Sequence, residues 1–251
     1  MTVNMPEKTQ IPQLRSLWKQ AFGDTDAFLD GFFATGFDHR RCRCITWNDR
    51  VAAALYWFDC SWKGKKLAYI YAVATDADFQ GKGFCRNLME DTHRHLQKLG
   101  YYAAVLVPGD RGLFSLYEKL GYRGFSPKLL QEVTAGETAA PLRALTPEEY
   151  AAKRRQVLPE NGVIQEGAAL KYLATFAGFF EAEGCLFCGG GEENFLFQEF
   201  FGPEEMLPGI LAALQVTAGR VPCPGQGSCS AMFYPLTFEE DIPDYFGLAL
   251  S

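Results

Sequence analysis

Between residues 42 and 75 three strand-like runs follow one another, "RCRCITW", "VAAALYWFDC" and "LAYIYAVAT", separated only by "NDR" and "SWKGKK". Connections that short suit hairpins and not crossovers, so the runs pair antiparallel as a meander. Before the meander, Leu14, Leu17, Trp18 and Phe22 repeat at helical spacing up to Gly23, and Phe28, Leu29, Phe32 and Phe33 do so after a cap at Asp24 or Thr25. After it, Phe84, Leu88, Thr92, Leu96 and Leu99 mark a longer helix that Gly100 closes. His93 and His95 fall on the polar side of that helix and are expected in solvent. Then come a buried strand "YYAAVLVP", a short helix carrying Leu113, Leu116, Tyr117 and Leu120 up to Gly121, and two closing strands, "YRGFSP" and "LLQEVTA".

From Gly136 to Pro147 the composition shifts to Ala, Pro, Thr and Leu without a period. That places a boundary there, with one domain over 1–136 and a smaller one over 137–251. In the second, "TPEEYAAKRRQVL" and "EGAALKYLATFAGFF" read as helices, and "EGCLFCGG" with "ENFLFQEFF" as a hairpin. "PEEMLPGILAALQVT" follows as a helix and "CSAMFYPL" as a final strand. The order echoes the first unit, although no residue-level repeat accompanies it. The fold class is α+β.

Composition narrows the function. The 251 residues are 48% hydrophobic and carry a net charge of -6, so there is a core to bury and no basic field to gather nucleic acid. No basic, then apolar, leader opens the sequence and no run is long enough to span a bilayer, so the expected location is the cytoplasm. Eight cysteines are spread through strands and a helix start. Cys185, Cys188, Cys223 and Cys229 lack the regular paired spacing of a zinc site, so buried thiols and no metal are expected.

The segment "DFQGKGFCRNLME" draws the chemistry together. Gly81 and Gly83 stand at the head of a helix with Lys82 between them and Arg86 behind, which suits a phosphate on helix-terminal amides. A P-loop is excluded, because Gly83 and Phe84 follow Lys82 and supply no hydroxyl for magnesium. A dinucleotide fingerprint fails at its third glycine, where Arg86 stands.

"VATDADFQGKGFCRNLM" resembles the acetyl-CoA-binding signature of the GCN5-related N-acetyltransferases (GNAT): Gln or Arg, two residues, Gly, one residue, then Gly or Ala. "LFSLYEKLGYRGF" resembles their second signature, a helix with a tyrosine followed by Glu-Lys-Leu-Gly and an aromatic. The likeness covers roughly residues 5 to 130 in element order. It implies a mixed central sheet flanked by helices; the element order of the second unit, not the resemblance, is what would make it a degenerate copy of that plan. It also implies acetyl-CoA as cosubstrate, with Gln80, Gly81, Lys82, Gly83, Phe84, Cys85 and Arg86 at the pyrophosphate and the main chain of Val73, Ala74 and Thr75 along the pantetheine arm. Cys85 departs from the pattern; it is small enough to leave the turn open, and weaker binding is the expected result.

The implied reaction is direct attack by the primary amine of a small molecule or aminoacyl group on the thioester. Tyr117 matches the family's acid for the leaving thiolate, although it shares a helix face with Leu113 and Leu120 as a core tyrosine would. No Glu or His occurs in "LAYIYAV". The base is therefore assigned to Tyr71, or to Tyr69, working with a water, with Asp38 and His39 as weaker candidates. A binder that has lost turnover is the alternative. One cofactor site is expected, because Pro203, Glu204 and Glu205 stand where a second cradle would need glycines and positive charge. The C-terminal half then walls the acceptor cleft or packs against the first sheet, and a separate reading makes it an oligomerisation module that joins two copies in a homodimer.

Overall fold

The computed structural model describes residues 2–238 and 241–250. It divides into two compact units, Met1–Arg123 with Met232–Asp241, and Gly124–Ala231 with Ile242–Ser251. The contacts thus change hands at Arg123, before the composition shift at 136–147, and a late segment of the chain returns to the first unit.

In the first unit, β1 (Val3–Asn4) precedes helices α1 (Ile11–Phe22) and α2 (Asp26–Thr35). The Thr25 hydroxyl caps α2 by accepting from the Phe28 amide at 3.3 Å. Strands β2 (Cys42–Trp47), β3 (Arg50–Trp62) and β4 (Lys65–Thr75) are the expected antiparallel meander. Helix α3 (Phe84–Lys98) then crosses to β5 (Ala103–Leu106), which runs parallel to β4, and α4 (Arg111–Glu118) follows. Met232–Pro235 pairs antiparallel with β5 and extends the sheet.

One face of this sheet holds Ala53, Leu55, Trp57, Ala68, Ile70, Ala104 and Leu106 in a cluster with Phe84, Leu88, Met89 and Leu96 of α3. The other face meets α1 and α2 through aromatic rings: Trp18 lies 5.4 Å and Phe32 5.0 Å from the ring of Tyr56. Covering both faces explains why β3 and β4 are apolar along most of their length. Phe22, Leu99 and Leu116 belong to the helical periods but are exposed, Leu99 because α3 ends before it.

The second unit begins with β6 (Arg123–Thr134), one continuous strand where two were expected, because its partner β12 pairs along Lys128–Thr134 without a break. Next are β7 (Arg143–Ala144), α5 (Pro147–Val157), β8 (Ile164–Gln165) and α6 (Ala168–Leu173). The predicted helix through "AGFF" ends early: Gly178–Ala182 is a strand, β9, paired antiparallel with β10 (Cys185–Gly190). β11 (Asn194–Phe201), α7 (Leu207–Ala213), β12 (Ala218–Pro224) and β13 (Ser228–Pro235) complete the chain's regular structure. β11 and β12 are parallel, so meander, helix and parallel strand recur in the order of the first unit. Within this unit Glu199, fully buried, accepts from Arg154, Tyr150 and Tyr245.

Among the described residues no helix is long and apolar enough to cross a membrane, and no three potential metal ligands converge.

Candidate active site

The site begins with an irregularity in β4. Tyr71 pairs with Tyr56 and Ala74 with Ala54, so Ala72 and Val73 together stand opposite Leu55. Ala72 sits at φ 48°, a conformation that L residues adopt at a cost and that here forms a bulge. On the other edge, β4 pairs with β5 only from Leu67 opposite Ala103 to Tyr69 opposite Val105. Beyond that point β4 runs on to Thr75 while β5 ends at Leu106, and the main chain of Val73, Ala74 and Thr75 borders the opening where the strands part.

The turn from β4 into α3 lies at the same end. Gly81 and Gly83 adopt φ 70° and 82°, which favours glycine at both. Internal packing does not demand glycine there, since a Cβ on Gly81 would meet nothing within 4 Å and one on Gly83 only Asn87 Nδ2 at 3.8 Å. What the missing side chains leave open is access from outside. Gly83 is the N-cap of α3 and offers no side chain to it, and the amides of Phe84, Cys85 and Arg86 have no acceptor among the described residues. Three free amides and the positive end of a 15-residue helix form a cradle that fits a pyrophosphate.

Charge around the cradle is partly spent. Arg50 is tied to Asp76 at 2.7 Å and Asp78 at 3.3 Å, and Arg86 lies 3.7 Å from Glu90. Lys82 Nζ donates to the Asp78 carbonyl at 2.7 Å, a neutral partner that leaves its charge available. The side-chain amide of the exposed Gln80 donates to the Thr75 carbonyl at 3.2 Å, fastening the turn to the end of β4.

Tyr117 comes from α4, whose start is capped by Asp110 accepting from the Leu113 amide at 3.1 Å. It is 7% exposed and joins Val73, Phe84, Cys85 and Leu113 in one apolar cluster. Its hydroxyl has no hydrogen-bond partner among the described residues. Burial, and then the nearby Cys85 thiol, push the phenol well above its ordinary value, so it keeps its proton at neutral pH. Cys85 of α3 and Tyr117 of α4 therefore lie close together, and Val73 of β4 packs against the same apolar cluster.

The predicted bases lie elsewhere. The half-buried Tyr71 faces α1, its ring 5.5 Å from Trp18 and 5.8 Å from Phe58, and the buried Tyr69 sits 6.2 Å from it. Asp38 is a poor base: hydrogen bonds from Arg40 hold its carboxyl down at about 2, against the opposing effect of burial. His39 is exposed, 3.7 Å from that carboxylate. The expectation for His93 is overturned: it is buried at 6% exposure beneath Tyr234, which reaches it from the far end of the chain. His95 is half-buried.

Residues 2–125 match the family described as an acetyltransferase (GNAT) domain. This segment is a GNAT domain. No protein of curated function matches the chain in sequence. In fold it is similar to a GCN5-related N-acetyltransferase from Anabaena variabilis, at TM-score 0.72 and 14% identity over 94% of this chain and 73% of that one. A GCN5-related N-acetyltransferase from Kribbella flavida is similar at TM-score 0.68 and 14% identity, over 92% and 70%. A tandem GNAT protein from the clavulanic acid biosynthesis pathway is similar at TM-score 0.60 and 11% identity, over 95% of this chain and 100% of its own. The likeness to a tandem protein over its whole length accords with the repeated element order, and the chain has a two-unit GNAT-like architecture.

Proposed function

We propose that the GNAT domain transfers an acetyl group from acetyl-CoA to the primary amine of a small molecule or aminoacyl group. The observation that carries this reading is the cradle of unpartnered amides at Phe84, Cys85 and Arg86, set beside a buried, protonated Tyr117. Acetyl-CoA supplies an activated thioester and a pyrophosphate. Gly81, Gly83 and the amides of α3 hold the pyrophosphate, with Lys82 adding charge. The main chain of Val73, Ala74 and Thr75 receives the pantetheine arm as an added strand and orients the thioester. Tyr117 then gives its proton to the departing thiolate. The proton of the attacking amine passes to water.

One acyl-CoA per chain follows from the second unit's chemistry. Glu204 and Glu205 stand before the short helix α7, and beyond the parallel pairs of β11 and β12 the buried Glu199 is held by Arg154, Tyr150 and Tyr245. A second reading, a cytoplasmic acyl-CoA binder without turnover, draws on the aromatic setting of Tyr71 and the spent charge of Asp38. Incubating the protein with acetyl-CoA and a panel of amines, followed by mass spectrometry, separates the two. Acetylated amine together with free CoA supports the enzyme; tight binding with neither product supports the binder.

A further inference from the structure

Tyr117 is an unusual acid in one respect: its hydroxyl makes no hydrogen bond within the described residues, so nothing polar fixes its ring. Packing must do so. The ring lies edge-on to Tyr122, centroids 5.7 Å apart and planes 66° apart. Tyr122 is 2% exposed, and its hydroxyl, unlike that of Tyr117, is pinned: it lies 2.8 Å from His93 Nε2. His93 is itself clamped, stacked at 3.9 Å and 15° on Tyr234, whose ring lies close against Gly121. The imidazole borders a cavity of about 290 Å³ with Glu90, Gln97 and Leu236.

We infer that His93 is a positioning residue for the acid, acting through Tyr122. This rests on the acetyltransferase reading. A phenol anchored at its hydroxyl end cannot tilt away about its Cα–Cβ bond, so the hydrogen bond to His93 sets the wall against which Tyr117 rests. Burial depresses the His93 pKa to about 4, so the ring is neutral near pH 7 and one partner of the pair donates while the other accepts. Burying an imidazole costs desolvation, and the mechanism above does not use His93 directly. Loosening this anchor displaces the acid without touching the cradle, and displacements of about 1 Å are worth up to about 100-fold in rate.

The test is steady-state kinetics on the full chain with an acceptor that the wild type acetylates. His93→Leu is expected to lower kcat by about 10- to 100-fold with the KM for acetyl-CoA within about twofold. His93→Gln, which keeps a hydrogen-bonding group for Tyr122, restores most of the rate, and Tyr122→Phe behaves like His93→Leu. In a Tyr117→Phe background, His93→Leu costs less than about twofold, because the group it positions is gone. A loss that persists undiminished in that background, or a KM that rises in step with the fall in kcat, overturns the inference. An active wild type with an unimpaired His93→Leu overturns it alone, whereas a wild type that turns nothing over removes the acetyltransferase reading beneath it.

Discussion

Removing the Tyr117 hydroxyl separates catalysis from stability cleanly. In most buried tyrosines, deletion of the hydroxyl strands a partner and costs about 1–3 kcal/mol. Here no described residue bonds to it, so Tyr117→Phe should leave stability within about 0.5 kcal/mol of wild type by urea denaturation. The rate should respond differently. A positioned acid is worth about 10²–10⁴ in rate, or about 3 to 5 kcal/mol of barrier, so kcat should fall by that factor while the KM for acetyl-CoA holds. A thiol-trapping assay of CoA release at saturating acetyl-CoA reads both constants. The pH profile adds a check: burial raises the phenol's pKa, so the acid keeps its proton through pH 10, where free tyrosine titrates, and no alkaline limb below that pH belongs to it. A variant whose kcat stays within about twofold of wild type would refute the assignment of Tyr117 as the acid.

Other perturbations read different parts of the molecule. Glu199→Ala leaves Arg154 buried without its counter-charge and should cost about 3–5 kcal/mol in chemical denaturation, with acyl-CoA affinity of the first unit unchanged. For His93 the folded pKa, about 4, lies below the ordinary 6.5, so on acidification the unfolded chain takes up the proton first. Stability is then lost as pH falls from 6.5 toward 4, by about 3 kcal/mol in all, and His93→Gln should flatten that part of the curve in denaturant melts at stepped pH. Gly83→Ala forces an L residue to φ 82°, so it should lower stability by about 1–2 kcal/mol and weaken acetyl-CoA binding together.

The meander, the glycine turn and the four helices of the first unit were legible because each rests on local signals: apolar runs between short turns, helical spacing, and glycines where the backbone must turn left-handed. The bulge that opens the sheet was not. It falls on Ala72, and nothing in "YIYAVAT" marks an alanine for φ 48°; the partner strand β3 and the loss of pairing with β5 decide it. His93 was misread because its burial comes from Tyr234, a contact between residues far apart in the chain that helix periodicity cannot register. Arg154 presents the same problem: helical spacing in "AAKRRQV" does not mark which side chain is covered, yet that one is 2% exposed because Glu199 waits on β11. The strand at "GFFEA" lost to helix propensity in the preceding "AALKYLATF" until β10 supplied its hydrogen bonds. Pairing partners and buried charges are properties of the assembled fold, and these are the places where local reading ran out.

In the proposed function the turn at Gly81–Arg86 holds the pyrophosphate of acetyl-CoA. Isothermal titration of the full chain with acetyl-CoA, beside a Gly81→Asp, Gly83→Asp double variant, tests it most directly. Saturable binding at one site per chain is expected, abolished in the variant by two carboxylates facing the phosphates. Binding that survives in the variant, or a wild type that binds no acetyl-CoA, would contradict it.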